Sequence, residues 1–257
     1  MDEPYRHPAF PQPEDDSVSL WRYMPANKFK WLVECRRLFM PSADRLGDPM
    51  EGTTPHGELE WWKRAAANAD TEESRRIIEH NRAFLSRMAQ GWRSKCYVSC
   101  WHMNPYENHA MWECYTNGPE SVAMRTTYAA LRASLPQYIE LGTVRYIDYS
   151  AARLPSMNMF EYVMHKDTYY SFEHEARAVA LAPAGIEPWA SEFRENHFQS
   201  DSIPEFLAPP VELSVLIHEV ILHPEASAAF EAEIMDLCAA NRLVKPGSSR
   251  KNRVPVF

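Results

Sequence analysis

The stretch Lys95-Cys-Tyr-Val-Ser-Cys-Trp101 alternates between two sets of side chains, which is the period of a β-strand. Positions 97, 99 and 101 share one face of this predicted strand, and positions 96, 98 and 100 share the other. An isolated strand is not stable in water, so this one has to pair with others in a sheet. The segments on either side of it therefore decide the fold class.

Further strand-like and helical segments lie on both sides of this stretch without strict alternation. Upstream, a first strand is predicted over 18–23 and a short second one over 37–40. The other predicted strands cover 121–125, 142–149, 175–181, 213–222 and 254–257, and the predicted helices cover 57–90, 107–116, 127–135 and 226–241. This mixture favours an α+β fold, with mixed or antiparallel strands and flanking helices, over a doubly wound sheet.

The segment 57–90 carries an amphipathic helical pattern, and Asp70 is placed to cap its second half. Four apolar residues recur there at helical intervals and predict a buried stripe: Ile77, Phe84, Leu85 and Met88.

Domain boundaries are indicated mainly at the amino end. Residues 1–17 hold five acidic residues and four prolines without an apolar period, which predicts a disordered or loosely packed arm. No later stretch has the composition of a linker. We therefore expect residues 18–257 to form a single domain.

The composition excludes several classes of protein. Asp and Glu outnumber Lys and Arg by 35 to 27, and the net charge of −8 argues against general binding to nucleic acid or anionic membranes. Five cysteines without a CxxC pair predict free thiols in a reducing, cytoplasmic setting, with no metal centre. No apolar run is long enough to span a membrane. We expect a soluble cytoplasmic protein with no membrane partner.

Three clusters of polar and aromatic residues stand out from the predicted core. They are Leu20-Trp-Arg22-Tyr23 with the acidic turn Asp48–Gly52, Ser99-Cys-Trp101-His102 with Met111-Trp112-Glu-Cys-Tyr115, and Lys166 with Ser171-Phe-Glu173-His-Glu175-Ala-Arg177.

The third cluster holds the candidate catalytic residues. On a strand, Glu173, Glu175 and Arg177 would share one face, where two carboxylates repel unless a cation lies near or one takes a proton. Such a pair suits a reaction in which positive charge develops on a sugar. The alternative is that Glu175 and Arg177 form an ordinary surface ion pair.

The first two clusters carry the candidate ligand-binding residues. Arg22 lies among apolar residues and either pairs with Asp48 or Glu51 or presents its planar guanidinium to a phosphate. Ser99 shares a face with Trp101, which suits a polar contact beside a stacking surface. The aromatic residues of these clusters equally suit an ordinary core.

The three clusters, in this order, resemble a bacterial family, domain-of-unknown-function family 2971. Its members open with a Leu-Tyr-Arg/Lys-Tyr strand and an Asp-Pro-Phe-Glu turn. They continue with a Cys-Phe/Trp-Ser/His strand end, a Met-Trp-x-x-Tyr helix and a Lys…Glu-x-Glu-x-Arg segment. The resemblance covers about residues 18–245.

More distantly, the order of the motifs is similar to that of ADP-ribosyltransferases, which implies a split sheet and NAD as substrate. By this resemblance, Glu175 steadies the ribosyl cation and Glu173 assists the acceptor. NAD binding falls to Arg22, Tyr23, Ser99, Trp101, Trp112 and Tyr115. The product is ADP-ribose on a protein or nucleic acid, or free ADP-ribose, as in a toxin or phage-defence effector.

Two other function classes stay open on the sequence. The acidic turn and the tryptophans equally suit a non-enzymatic interaction or sensing module, with the Glu-x-Glu-x-Arg run as a structural network of ion pairs. The ten histidines allow a metal-dependent hydrolase, although no ligand set has standard spacing.

Overall fold

The computed structural model describes residues 7–181 and 205–252. Within these ranges the helices are α1 (Ala26–Cys35), α2 (His56–Ala67), α3 (Glu72–Arg93), α4 (His109–Tyr115), α5 (Tyr128–Ser134), α6 (Glu161–Met164), α7 (Leu213–Leu216) and α8 (Ala228–Ala240). The strands are β1 (Ser19–Pro25), β2 (Met40–Pro41), β3 (Cys96–Met103), β4 (Ser121–Thr127), β5 (Glu140–Thr143), β6 (Arg145–Ile147), β7 (His165–Asp167), β8 (Glu175–Leu181), β9 (Phe206–Leu207), β10 (Glu219–Leu222) and β11 (Gly247–Ser248).

Seven of these strands form one sheet in the order β11-β10-β4-β1-β3-β8-β5. All neighbours in it are antiparallel except β10 and β11, which are parallel. Two further pairs, β2 with β9 and β6 with β7, lie beside it. The expected α+β class, with a mixed sheet and flanking helices, is confirmed.

The sheet splits between its two central strands. β1 pairs with β4 along its whole length, from Ser19 to Pro25, and β3 pairs with β8 over seven residues. Between β1 and β3 only two pairs form, Leu20 with Met103 and Trp21 with His102. Beyond Trp21 the two strands diverge, so the split that the resemblance implies opens a cleft at this point.

Helices cover both faces of the sheet. On one face, α1, α5, α7 and α8 pack their apolar sides on Leu20, Met24, Tyr97 and Trp101 of β1 and β3. On the other face, α4 packs through Met111 and Trp112 against Trp21 and Tyr23. Because helices cover both faces of the sheet, nearly every side chain along β3 and β4 is buried.

Ahead of β1, Ala9 and Phe10 are buried and residues 11–13 are half-buried, whereas residues 14–17 are exposed. Phe10 is buried against Gly142, whose Cα leaves no room for a side chain because Phe10 Cα lies 2.7 Å from an ideal Cβ. The Thr143 amide donates to the Pro11 carbonyl (2.8 Å), and the Gln12 side chain donates to Leu141 O (2.8 Å). Residues 10–12 therefore cover the edge strand β5, which the acidic composition of residues 1–17 did not indicate.

The helical segment predicted over 57–90 is a hairpin of α2 and α3. Thr71 caps α3, since its Oγ1 accepts from the Ser74 amide (3.0 Å), so the prediction of Asp70 as the cap is wrong. The predicted buried stripe is also wrong, because α3 packs mainly on α2 and turns its apolar row outward. The exposed fractions are 54% for Ile77, 49% for Phe84 and 39% for Met88, while Leu85 is half-buried.

Three strand predictions also change. Residues 213–222 form α7 followed by β10, because the Glu212 side chain accepts from Ser214 N and caps a helical turn. The strand predicted over 37–40 is reduced to Met40–Pro41, and the one over 142–149 becomes β5 and β6 in different sheets. The strand predicted over 254–257 lies outside the described residues.

Candidate active site

A cleft of about 250 Å³ opens where β1 and β3 diverge. It runs through the sheet, from the side of α1 to the side of α4. Its walls combine an acidic end, a basic end and several aromatic rings. The residues that line it include Arg22, Tyr23, Lys28, Trp31, Phe39, Glu51, Cys100, Trp101, His102, Tyr115, Lys166, Glu173, Glu175 and Arg177.

At the acidic end, one lysine bridges the two glutamates of the Glu-x-Glu motif. Lys166 Nζ donates to Glu175 Oε1 (2.9 Å) and to Glu173 Oε2. All three side chains are buried. A buried carboxylate pair is stable only with a nearby cation or a shared proton, and Lys166 supplies the cation here.

Arg177 holds the other oxygen of Glu175. Its Nε lies 2.5 Å from Glu175 Oε2, and its two terminal nitrogens bind both oxygens of Glu51 at 2.6 and 2.9 Å. The Val163 carbonyl accepts a further hydrogen bond at 2.7 Å. Arg177 is 1% exposed, so the expectation of a surface ion pair with Glu175 is wrong.

The two carboxyl groups titrate in opposite directions. Burial raises the pKa of Glu173 to about 7, and its hydrogen bond with Glu175 and the charge of that group act in the same direction. Burial also opposes ionisation of Glu175, but the charges of Arg177 and Lys166 and the hydrogen bond from Glu173 hold its pKa well below the usual range. Near neutral pH the site therefore contains a fixed anion beside a group that exchanges its proton.

The backbone places these two carboxyl groups in a way that differs from the predicted single strand. Glu173 ends a 3₁₀ helix, Thr168–Glu173, and the strand begins only at Glu175. His174 between them adopts the left-handed conformation, with φ 40° and ψ 59°. This turn directs both glutamates to Lys166. A non-glycine residue in this conformation is strained, which is common at functional sites.

Two tyrosines and a histidine contact the side chain or the backbone of the Glu173–Glu175 segment. Tyr115 donates its hydroxyl to Glu173, and burial together with both carboxylates raises its pKa. The Glu175 amide donates to Tyr146 Oη (2.9 Å). His102 Nδ1 lies 2.6 Å from the Glu173 carbonyl oxygen, and burial lowers the pKa of this imidazole. Polar groups thus hold the backbone and the side chain of the Glu-x-Glu segment.

At the basic end, Arg22 has no carboxylate partner among the residues that the structure describes. Its guanidinium lies over the Trp101 ring (5.6 Å to the centroid) and donates to the Phe39 carbonyl (3.0 Å). Burial lowers the pKa of Arg22 to about 10, so the group keeps its charge at neutral pH. The alternative pairing with Asp48 or Glu51 is wrong, because Glu51 binds Arg177.

The structure brings most, but not all, of the predicted site residues to the cleft. Arg22, Tyr23, Trp101 and Tyr115 line it with the two glutamates. Two others support its wall from behind. The Ser99 hydroxyl accepts from Trp101 Nε1 (3.1 Å), and Trp112 packs edge-on against the Tyr23 ring (5.0 Å).

Several lining residues carried no clear sequence signal. Lys28 and Trp31 lie on α1, outside the three clusters of polar and aromatic residues that the sequence singled out. Phe39 packs on Trp31 (6.0 Å between centroids) and lies in the predicted second strand. Glu51 belonged to a recognised turn, but its bidentate contact with Arg177 joins positions 126 residues apart, which no local pattern can show.

Among residues 7–181 and 205–252, no three His, Cys, Asp or Glu side chains are grouped to hold a metal ion. In the same ranges, no helix has the length and apolar character needed to cross a membrane.

Comparison with known proteins gave structural matches only. No family model and no curated protein matches the chain, so the resemblance to family 2971 stays a prediction from motifs. Solved structures that match include "Thermus sp. 2.9 DarT in complex with NAD+", with 10% identity over 93% of this chain and 96% of that chain and a TM-score of 0.37.

Two further matches are to the same protein. The complex with ADP-ribosylated ssDNA gives 9% identity, coverage of 93% and 95%, and a TM-score of 0.38. The complex with carba-NAD+ gives 10% identity, coverage of 93% and 98%, and a TM-score of 0.38. The likeness is distant.

Proposed function

We propose that this chain cleaves the nicotinamide–ribose bond of NAD and transfers ADP-ribose to an acceptor or to water. One observation carries the proposal. One cleft holds the buried Glu173–Glu175 pair at one end and, at the other, Arg22, which forms no ion pair within residues 7–181 and 205–252. A dinucleotide needs both features, because it carries a diphosphate and a glycosidic bond that leaves positive charge on the sugar.

Glu175 supplies the electrostatic part of the reaction. When the bond between C1′ and the nicotinamide nitrogen breaks, its electron pair leaves with neutral nicotinamide and positive charge develops on the ribose. Lys166 and Arg177 keep Glu175 ionised in its buried position. A fixed anion in a site of low dielectric stabilises such a charge more strongly than the same anion in water.

Glu173 supplies the proton acceptor. The acceptor oxygen or nitrogen forms a bond to C1′ and loses a proton, which passes to Glu173. A pKa of about 7 suits this role, because a general base works best when its pKa lies near the operating pH. The Tyr115 hydroxyl and Lys166 hold the Glu173 carboxyl group in place.

Arg22 binds the diphosphate. A planar guanidinium presents paired N–H donors that match phosphate oxygens. The Trp101 ring and the Phe39 carbonyl hold the group without neutralising it. An unpaired, partly buried cation in a cleft is costly unless an anion binds there.

The rival function is a non-enzymatic binding or sensing module. It is favoured by one observation, since both oxygens of Glu175 are already bonded to cations, as in a structural network. In that case NAD and ADP-ribose would leave the melting temperature unchanged or raise it without turnover.

The test is nicotinamide release from NAD by the purified chain, with Glu175→Gln beside it. Release is independent of whether water, a protein or a nucleic acid accepts ADP-ribose. Glu231→Gln, an exposed carboxylate on α8, is the matched control. If the chain acts as a toxin or phage-defence effector, expression of wild type is expected to arrest growth, and expression of Glu175→Gln is not.

A further inference from the structure

The end of the cleft on the α1 side is lined by two aromatic rings that the proposed reaction does not use. They belong to Trp31 on α1 and to Phe39, which comes directly before β2. The ring centroids lie 6.0 Å apart, and the ring planes are close to perpendicular, at 87°. Both side chains are half-buried, so part of each ring is open to the cleft. We refer to these two residues as the aromatic corner.

Neither the core nor the nearby strands account for Trp31. The residues of α1 that are buried in the core are Ala26, Phe29, Leu32 and Val33. Phe39 packs on the Phe206 ring (4.8 Å between centroids) and so supports the pairing of β2 with β9. Trp31 lies beside these two rings and belongs to neither strand. Partly open aromatic surface inside a cleft is typical of a ligand site.

A lysine lies on the same side of α1 as Trp31. Lys28 precedes Trp31 by three residues, which places both on one side of the helix, and both line the cleft. Lys30, the other lysine of this helix, pairs with Glu233 on α8, whereas Lys28 forms no ion pair within residues 7–181 and 205–252. The α1 side of the cleft therefore presents positive charge beside the aromatic corner.

The contacts of Arg22 indicate the order of these groups along the cleft. Its guanidinium donates to the Phe39 carbonyl (3.0 Å) and lies over the Trp101 ring. Trp101 belongs to β3, in which the next residue, His102, is paired with Glu175 of β8. The order is therefore the aromatic corner, the cations and the carboxylate pair. NAD has the matching order of adenosine, diphosphate and the ribose that carries nicotinamide.

We propose that the aromatic corner binds the adenine ring of NAD and that Lys28 binds the diphosphate together with Arg22. This inference rests on the proposed function and concerns the half of the substrate that does not react. A planar base that stacks on one ring of the corner meets the other edge-on, and both arrangements are favourable between aromatic rings. The diphosphate carries two negative charges, which the two cations match.

The nicotinamide ring is also aromatic, but the reaction places it at the opposite end. The bond that breaks has to lie close to Glu175, whose charge stabilises the ribosyl cation in the proposed reaction. The aromatic corner is separated from that carboxylate by Arg22 and Trp101. Adenine is therefore the ring that fits the corner.

Steady-state cleavage of two substrates distinguishes the two halves of NAD. Nicotinamide mononucleotide contains the reacting bond and one phosphate but lacks the adenosine half. Trp31→Ala is expected to raise KM for NAD about 10- to 100-fold, as for the loss of one stacked base, with kcat unchanged. Its kinetics with nicotinamide mononucleotide are expected to equal those of wild type. Trp31→Phe keeps a ring and should retain most of the affinity, and Trp61→Ala, at an exposed tryptophan of α2, is the matched control.

The role of Lys28 has a control on the same helix. Lys28→Gln is expected to raise KM for NAD several-fold, because it removes one of the two charges that face the diphosphate. Lys30→Gln removes a charge of the same helix that pairs with Glu233, and it should leave KM unchanged. A wild-type KM in Lys28→Gln would overturn this role.

Binding of ADP, which requires no cleavage, separates the failure of this inference from the failure of the proposed function. Titration calorimetry is expected to show ADP binding by wild type and binding about 10- to 100-fold weaker by Trp31→Ala. If ADP binds in this way but wild type releases no nicotinamide from NAD, the proposed function is wrong and the adenine site is supported. If wild type releases nicotinamide while Trp31→Ala keeps its KM for NAD and its affinity for ADP, the adenine site is wrong.

Two further results would overturn the adenine site. One is a wild type that does not bind ADP. The other is an equal loss of Trp31→Ala activity on NAD and on nicotinamide mononucleotide, because Trp31 would then act on the fold or on the reacting end of the cleft.

Discussion

Lys166 Nζ lies 2.9 Å from Glu175 Oε1, in an ion pair where both side chains are buried. Burial by itself would raise the pKa of Glu175 and lower that of Lys166, but their attraction moves both in the opposite direction, with help from Arg177 for Glu175 and from Glu173 for Lys166. The network thus contains three carboxyl groups and two cations, and the surplus carboxyl group is Glu173. Burial is the main cause that raises the pKa of Glu173 to about 7, and the surplus of carboxyl groups adds to it through the charge of Glu175.

Removal of Glu51 should destabilise the fold strongly. Glu51→Ala leaves the Arg177 guanidinium buried with two of its terminal hydrogen bonds unmet. Loss of one partner of a buried ion pair costs about 3–5 kcal/mol. Urea unfolding measures the difference, and Glu51→Gln, which keeps one acceptor oxygen, should lose less. An exposed pair gives the control, since Glu72→Ala on α3 should change stability by less than about 1 kcal/mol.

Glu173 should make stability depend on pH in a defined window. Its pKa is about 7 in the folded chain, above the ordinary value of 4.5. Below pH 4.5 the group is protonated in both states, so its contribution to stability is fully present. As the pH rises to about 7, the unfolded chain loses this proton while the folded chain retains it, and the contribution is lost. Urea unfolding between pH 4.5 and 7 should therefore show a decline in wild type.

Glu173→Gln should reduce that decline, because glutamine has the shape of the protonated acid and does not titrate. The free energies of unfolding of the variant and of wild type should then agree at the acid end of the window and diverge towards pH 7, where wild type becomes the less stable of the two. An equal slope for both proteins would show that Glu173 titrates normally in the folded chain.

The left-handed backbone at His174 should matter more than its side chain, which is exposed. His174→Gly removes the Cβ that makes this conformation costly and should keep stability and nicotinamide release. His174→Val should lose about 1–2 kcal/mol, since β-branched residues tolerate positive φ poorly. It should also lower nicotinamide release, because Glu173 and Glu175 would no longer meet at Lys166. Equal behaviour of the two variants would contradict this role.

Arg22 should carry a large part of the affinity for ADP-ribose. A hydrogen bond to a charged group is worth about 1.5–3 kcal/mol, so Arg22→Gln should weaken binding about 10- to 100-fold. Thermal shift by ADP-ribose measures it, with Arg64→Gln on α2 as the exposed control. If ADP-ribose stabilises Arg22→Gln as well as wild type, the diphosphate binds elsewhere.

The sequence predicted the parts of the fold that depend on local periodicity. The strand Glu175–Leu181 has the predicted bounds, and the two faces of β3 are as alternation predicts. The α3 stripe was misassigned because periodicity shows that a helix is amphipathic but not whether a partner covers its apolar side. The strand predicted over 213–222 failed in part because a side-chain cap at Glu212 overrides the apolar run.

The candidate site was predictable as a set of residues but not as an arrangement. Glu173, Glu175 and Arg22 were recognisable from their motifs, and the structure places them in one cleft. The partners that set their charge states come from distant segments, as Glu51 does for Arg177. Whether Glu51 pairs with Arg22 or with Arg177 is decided by tertiary contacts, so the sequence left the partner of Arg22 open.

The most direct test of the proposed function is nicotinamide release from NAD by wild type and by Glu175→Gln, with Glu231→Gln as control. Glu175→Gln keeps the shape of the side chain and removes the charge that Lys166 and Arg177 hold in place. Release by wild type and by Glu231→Gln, together with a loss of at least about 100-fold in Glu175→Gln, is the predicted result. Equal release by all three, or no release by wild type with no thermal shift by NAD, would contradict the assignment of this cleft to NAD cleavage.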